Sequence, residues 1–234
     1  MQFGITIPAR DEELFIGACL RSLQPFIEAG DLVIVVDAGS RDQTATVARS
    51  WGVPMISTTN PARGRAVAEG VLHLLSSGCV LDAVVIAHAD MIFSPRARSS
   101  LSRILAEFPE TPGGCFGHRI DRQGMVFRLV EWGNRLRARW LQCPYGDQAQ
   151  FFRPDCLGPL GGFPVQDQLE DVELSLRLRR AGPLVYLGEE VSISPRHWQE
   201  GILRTTLKNW WILGGYLLRR KRKPIHDGNV AIAP

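Results

Sequence analysis

Four short runs rich in apolar and β-branched residues, at positions 3–7, 32–36, 54–57 and 83–87, recur in the N-terminal half, and the stretches between them carry helical periodicity. This alternation predicts right-handed crossovers and a largely parallel sheet covered by helices, an α/β fold. The expected helices run over about 12–26, over 42–51 with Asp42 as the cap, and over about 65–76. Beyond Asp90 the rhythm changes. A helix is expected over 95–108, a strand with turns around Gly113, Gly114 and Gly117, a helix over 125–141 and a strand around 149–152. Then come a helix opening near Glu170, short strands at 184–187 and 191–194, and a last long helix from 202 to about 220.

Acidic residues stand at or just beyond three of these element ends. Asp37 and Asp42 follow the second strand in VIVVDAGSRDQT; Asp90 closes AVVIAHAD; Glu170 and Asp171 open an amphipathic helix in VQDQLEDVELSLRLRRAG. Carboxylates at strand ends face the loops where α/β folds bind ligands. With period 2 at a strand end, His88 and Asp90 are expected to point to one side.

The chain has 234 residues, 45% of them apolar, enough for one sizeable core. A net charge of +3 is too small to indicate a nucleic-acid-binding protein. Five scattered cysteines without paired metal-ligand spacing are expected to be reduced thiols in a cytoplasmic protein. With the strand pattern FGITIP at the N-terminus no signal peptide is expected, and no apolar run reaches the length of a spanning helix.

The segments ITIPARDEELFIGACLRSL and VVDAGSRDQTATVAR, followed by RGRAVAEG, HAD, PYGDQAQFFR, LGGFP and LEDVELSLRLRR, resemble the family 2 glycosyltransferases, which have the GT-A fold. The likeness runs from about Gly4 to Arg204. HAD, PYGDQ and LEDVELS together look most like a small bacterial subfamily associated with arsenosugar biosynthesis.

The resemblance implies an inverting transfer of a sugar from a nucleoside diphosphate, expected to be UDP, to an unidentified acceptor, with Mg²⁺ or Mn²⁺. Pro8 and Glu12 border the loop expected at the nucleoside, where the family usually has Asn in place of Asp11; helix capping is the other reading of Asp11. Asp37 is expected to accept from uracil or ribose, and Arg63 and Arg65, flanking Gly64, to approach the diphosphate. His88-Ala89-Asp90 occupies the place of the family's DxD motif with His in place of the first Asp. Asp90 is expected at the metal; His88 can contact ribose, ligate Mn²⁺ or orient Asp90; His197 resembles in position a third ligand. Asp147 and Gln148 are expected at sugar hydroxyls, the 160–164 loop as a flap against a sugar face, and Asp171, with Glu170 beside it, as general base. Capping a helix dipole is the competing role for the acidic pair.

On this reading residues 1–204 form the catalytic domain, 205–223 an amphipathic helix with a basic run, and 224–234 a loosely ordered tail. Trp210, Trp211 and Tyr216 beside the basic run at 219–223 suit peripheral attachment to an anionic membrane surface; a core helix or a homodimer seam explains them equally. The rival functions are a nucleotidyltransferase of the related fold, against which the absence of a Gly-rich N-terminal phosphate loop speaks, and a catalytically silent, membrane-associated nucleotide-binding scaffold, which His88 favours and the joint presence of Asp37, Asp90 and Asp171 opposes.

Overall fold

The computed structural model describes residues 1–198, 201, 211–216 and 218, without the side chains of 189, 190, 197 and 198. The first half alternates as expected: β1 (Phe3–Ala9), α1 (Ile16–Ser22), α2 (Gln24–Glu28), β2 (Leu32–Asp37), α3 (Thr44–Ser50), β3 (Met55–Ser57), α4 (Arg63–Leu75) and β4 (Ala83–Ile86). The second half adds β5 (Met91–Phe93), α5 (Ala97–Glu107), β6 (Gly113–Ile120), α6 (Met125–Trp140), β7 (Gln150–Phe152), α7 (Glu170–Ala181) and β8 (Val185–Ile193). The strands form one eight-stranded sheet in the order β3-β2-β1-β4-β7-β6-β8-β5.

β1 through β4 pair in parallel, Ile5 opposite Val33 on one side and Val85 on the other. β7 enters antiparallel to both β4 and β6, and β5 antiparallel to β8. Helices cover both faces, so the parallel strands are buried on both sides and read as continuous apolar runs. On one face Phe3, Phe26, Phe93, Phe116 and Phe151 meet edge to face in sequence, centroids 6.3, 6.2, 5.6 and 5.9 Å apart. This aromatic ladder joins the parallel and antiparallel parts of the sheet through the core. On the other face α4 lies close to β1, because Gly70 carries no Cβ to strike the Thr6 hydroxyl.

Several expectations change. The helix expected over 12–26 is two helices, broken at Leu23 because Pro25, in the first turn of α2, has no N–H to continue the first helix. Asp11 caps neither: its φ is 54°, and its Oδ1 accepts the Arg41 N–H at 2.8 Å, stapling the two loops above β1 and β2. Asp42 stands just ahead of α3, where Oδ1 accepts from the Thr44 N–H at 2.9 Å. The two strands expected near the end are one, β8, with a register shift opposite Phe116 and Gly117. β5 was not expected. Of the helix expected over 202–220, residues 211–216 and 218 are described, and they are helical; Trp210, the basic run 219–223 and the tail 224–234 lie outside the described residues. Among the described residues no helix is long and apolar enough to cross a membrane.

Candidate functional site

The C-terminal ends of β1, β2 and β4, the N-terminal end of α4 and the opening of α7 converge on one cleft of about 1740 Å³. Its wall includes Pro8, Glu12, Arg63, His88, Asp90, Asp147 and Asp171. Clefts of α/β folds form at these strand ends because crossovers leave the loops above neighbouring strands diverging.

Where β4 ends, the chain turns back: the Met91 N–H donates to the His88 carbonyl at 3.0 Å and β5 departs to pair with β8. This exposes the His88–Asp90 turn to the cleft. Arg196, from the short 3₁₀ turn Pro195–Trp198, spans the gap beneath it. Its Nη1 and Nη2 donate to Glu12 at 2.7 and 2.5 Å and its Nε to Asp90 Oδ2 at 3.1 Å, while the guanidinium lies 4.7 Å from the Phe15 ring centre. Burial alone would pull this guanidinium down, but Glu12 and Asp90 outweigh it and hold its pKa above the ordinary value.

Opposite, the acidic pair divides its work. Asp171 faces the cleft, with Oδ2 accepting the Gly146 N–H at 2.7 Å and Oδ1 accepting the Val172 N–H at 2.8 Å. Glu170 is 2% exposed and turns behind the wall, where Arg63 Nη2 lies 2.9 Å from Oε1; the same guanidinium nitrogen is 3.9 Å from Asp171 Oδ2. Burial raises the Glu170 pKa, and the pull of Arg63 offsets this only in part. Gly146 sits between the stations: a Cβ there would stand 2.9 Å from His88 Nε2 and 3.4 Å from Asp171 Oδ2.

Four expected site residues do not line the cleft. Asp37 is 8% exposed and its Oδ1 accepts the Ser40 N–H at 3.2 Å, a turn contact beside Ala38, which does line it. Arg65 itself does not line the cleft but pairs at 2.8 Å with Asp167, which does. Gln148 is fully buried, its Oε1 taking the Arg137 guanidinium at 3.2 Å and the Tyr145 N–H at 3.3 Å, so it braces the PYGDQ turn from beneath. Glu170 is the fourth. Gly64, expected to admit a phosphate, instead lets α4 touch the loop before α7: a Cβ would strike the Gln166 carbonyl oxygen. The 160–164 loop, expected as a flap, does not line the cleft. Phe163 is buried, its ring 5.8 Å from that of Phe152, and Arg177 Nη1 ties the Gly161 and Gly162 carbonyls at 3.1 Å each. The side chain of His197 lies outside the described residues.

Sequence reasoning missed Arg196 as the partner of both Glu12 and Asp90, and Arg137, whose guanidinium stacks 3.3 Å from the Tyr145 ring centre under the turn. It also missed α6 as a cleft wall. The helical segment 211–216 borders the cleft too: Leu213 and Tyr216 pack against Val172 and Leu176, and the Tyr216 hydroxyl donates to Glu173 Oε2 at 2.6 Å. Trp211 is 82% exposed.

Solved structures share this architecture. The S. aureus TarS 1-349 structure aligns with a TM-score of 0.59 at 17% identity, covering 86% of this chain and 63% of that one. The mannosyltransferase PcManGT from Pyrobaculum calidifontis, in complex with GDP-Man and Mn²⁺, aligns with a TM-score of 0.58 at 19% identity over 82% of this chain and 56% of that one. Among curated proteins, 4,4'-diaponeurosporenoate glycosyltransferase of Staphylococcus aureus (strain MRSA252) is 41% identical over 75 residues, 30% of this chain and 20% of the relative. The chain thus spans less than two thirds of the length of each. The family model described as Glycosyl transferase family 2 matches residues 5–165, more than half of the sequence, and the chain belongs to that family.

Proposed function

We propose that this protein transfers a sugar from a nucleoside diphosphate, UDP being the first candidate, to an acceptor hydroxyl with inversion at the anomeric carbon. The observation that carries the reading is the opening of one cleft onto both Asp90 and Asp171, with Pro8, Glu12 and Arg63 around its rim. The acceptor oxygen attacks the anomeric carbon and its proton passes to the Asp171 carboxylate; the bond from that carbon to the phosphate oxygen breaks, and the nucleoside diphosphate leaves with the electron pair. Two N–H donors at 2.7 and 2.8 Å hold Asp171 in one orientation for this task. Glu170 and Arg63 act behind it as positioning residues. The likeness of HAD, PYGDQ and LEDVELS to the subfamily associated with arsenosugar biosynthesis adds nothing about the acceptor.

Asp90 and His88 both line the cleft: Asp90 would offer a hard carboxylate oxygen to Mn²⁺ or Mg²⁺, and His88 an imidazole that suits Mn²⁺ rather than Mg²⁺, while among the described residues no group of three His, Cys, Asp or Glu side chains forms a cage for an ion, so the diphosphate would have to take part in holding it. Asp90 Oδ2 accepts from Arg196, so an ion there would share this carboxylate with a guanidinium. A divalent ion bound there supplies positive charge to the departing diphosphate. The testing experiment is a thermal-shift screen of nucleoside diphosphates with Mn²⁺ and with chelator, in wild type and Asp90→Ala. A stabilisation by UDP that needs Mn²⁺ and is weakened by the substitution is expected, since a ligand binding only the folded state raises apparent stability. Equal UDP stabilisation in chelator and Mn²⁺, in both proteins, overturns the metal assignment; no response to any nucleoside diphosphate overturns the donor class.

A further inference from the structure

The cleft is larger than its donor stations need. Cavities that enclose a drug-sized ligand hold roughly 300–1,000 Å³, and this one measures about 1740 Å³. The surplus lies along α6. Val126, Leu129, Gly133, Leu136 and Trp140 all line the cleft, spaced so that they form one stripe along the helix. From Val126 to Trp140 the stripe runs about 21 Å at the helical rise. Ile212 and Leu213 add to the wall.

Helix α6 therefore has two apolar faces. Phe127 and Ala138 are buried, as in any surface helix, but Leu129 is 65% exposed and Trp140 77%. Met125, Trp132 and Leu141 extend the exposed area. A soluble helix rarely leaves so much apolar surface in water without an occupant. The stripe is also continuous with Asp171 through Tyr145 and Gly146, which line the same cleft. An occupant of the stripe therefore shares one cleft with that carboxylate. A second copy of the chain laid over the stripe would close the mouth through which an acceptor must come.

We propose that the stripe binds the hydrocarbon tail of an amphiphilic acceptor, whose hydroxyl-bearing head rests against Asp171. The proposal rests on the glycosyl-transfer reading for the role of the head, but the tail site is tested separately. Butyl, hexyl and octyl glucoside, kept below their micelle concentrations, serve as probes of a hydroxylated head with a lengthening tail. Titration calorimetry gives their affinities and, in the same preparations, that of UDP with Mn²⁺.

Affinity is expected to rise roughly two- to fourfold per added methylene, the upper figure being full burial. The double variant Leu129→Gln/Trp140→Gln should flatten this dependence to less than about twofold across the series, both side chains being exposed enough for the fold to survive. Val80→Gln, at a 90% exposed apolar residue ahead of β4, should leave the series as in wild type. A flat series in wild type, or a dependence that the double variant retains, overturns the proposal. So does a wild-type dimer in sedimentation that the double variant dissociates while the series is flat, which assigns the stripe to a second copy. A length dependence abolished by the double variant, with no UDP binding in any protein, upholds the tail site and sinks the nucleotide-sugar reading instead.

Discussion

Arg196 grips Glu12 with two guanidinium nitrogens, at 2.7 and 2.5 Å, across 184 residues of sequence. Its remaining Nε reaches Asp90, so one cation fixes the loop after β1 against the turn after β4. Both carboxylates line the cleft, and among the described residues Arg196 is the cation paired with each of them.

Arg196→Ala is accordingly expected to destabilise the protein by about 1–2 kcal/mol, the value of charge-assisted hydrogen bonds discounted for partial exposure. Arg196→Lys should recover less than half of the loss, because a single ammonium cannot reproduce the fork that meets both Glu12 oxygens. Urea unfolding of the three proteins measures this. Equal stability of Lys and wild type would mean that only the charge matters and that the two-pronged geometry contributes nothing.

The structure also sharpens what removing the charge of Asp171 does. Its two oxygens accept from two different backbone N–H groups, and an asparagine has only one oxygen to offer, so its amide nitrogen must face one of them. Asp171→Asn should therefore cost about 1–3 kcal/mol of stability in addition to its chemical effect. Transfer should fall about 10²–10⁴-fold, as for loss of a general base, while UDP affinity changes far less, since Pro8, Glu12 and Asp90 belong to the loops after β1 and β4 and only Arg63, 3.9 Å from Asp171 Oδ2, stands beside the substituted carboxylate. Steady-state rates with any competent acceptor, beside UDP titrations, check both. Near-normal turnover in a folded variant would remove Asp171 from the role of base.

What the sequence disclosed follows physical range. The strands β1 to β4 were legible because apolar runs bounded by turns report local burial, and Glu170 and Asp171 because a helix opening is marked by acidic residues in its first turn. β5 escaped notice because three residues carry no periodicity, and its pairing with β8 joins positions about a hundred residues apart. The bond from Gly146 to Asp171, the grip of Arg196 on Glu12 and Asp90, and the burial of Gln148 and Phe163 are all decided by packing between distant segments. The same spacing of α6 served two faces, and periodicity alone identifies one. The 160–164 loop, expected against a sugar face, packs away from the cleft for a related reason: glycines beside a phenylalanine describe a loop tied into the core as well as a free one.

Glu170 gives the protein a pH dependence of definite sign. Burial raises its pKa in the folded state, so the folded protein holds that proton more tightly than the unfolded chain does. Its contribution to stability is then fully present below the ordinary carboxylate value, about 4.3, and is lost as pH rises through the higher folded-state pKa. Glu170→Gln keeps the shape of the protonated acid and cannot titrate. The stability of wild type relative to Glu170→Gln should therefore be greatest at the acidic end and decline as pH rises through that window, flattening above it. Paired urea melts across the range, taken as differences so that other carboxylates cancel, measure this. Removing Arg63, the cation that offsets the burial, should move the declining limb to higher pH, and in Arg63→Ala the window should widen. A difference that instead grows in favour of wild type with rising pH would mean that the Arg63 ion pair outweighs burial and that Glu170 is held as a carboxylate throughout.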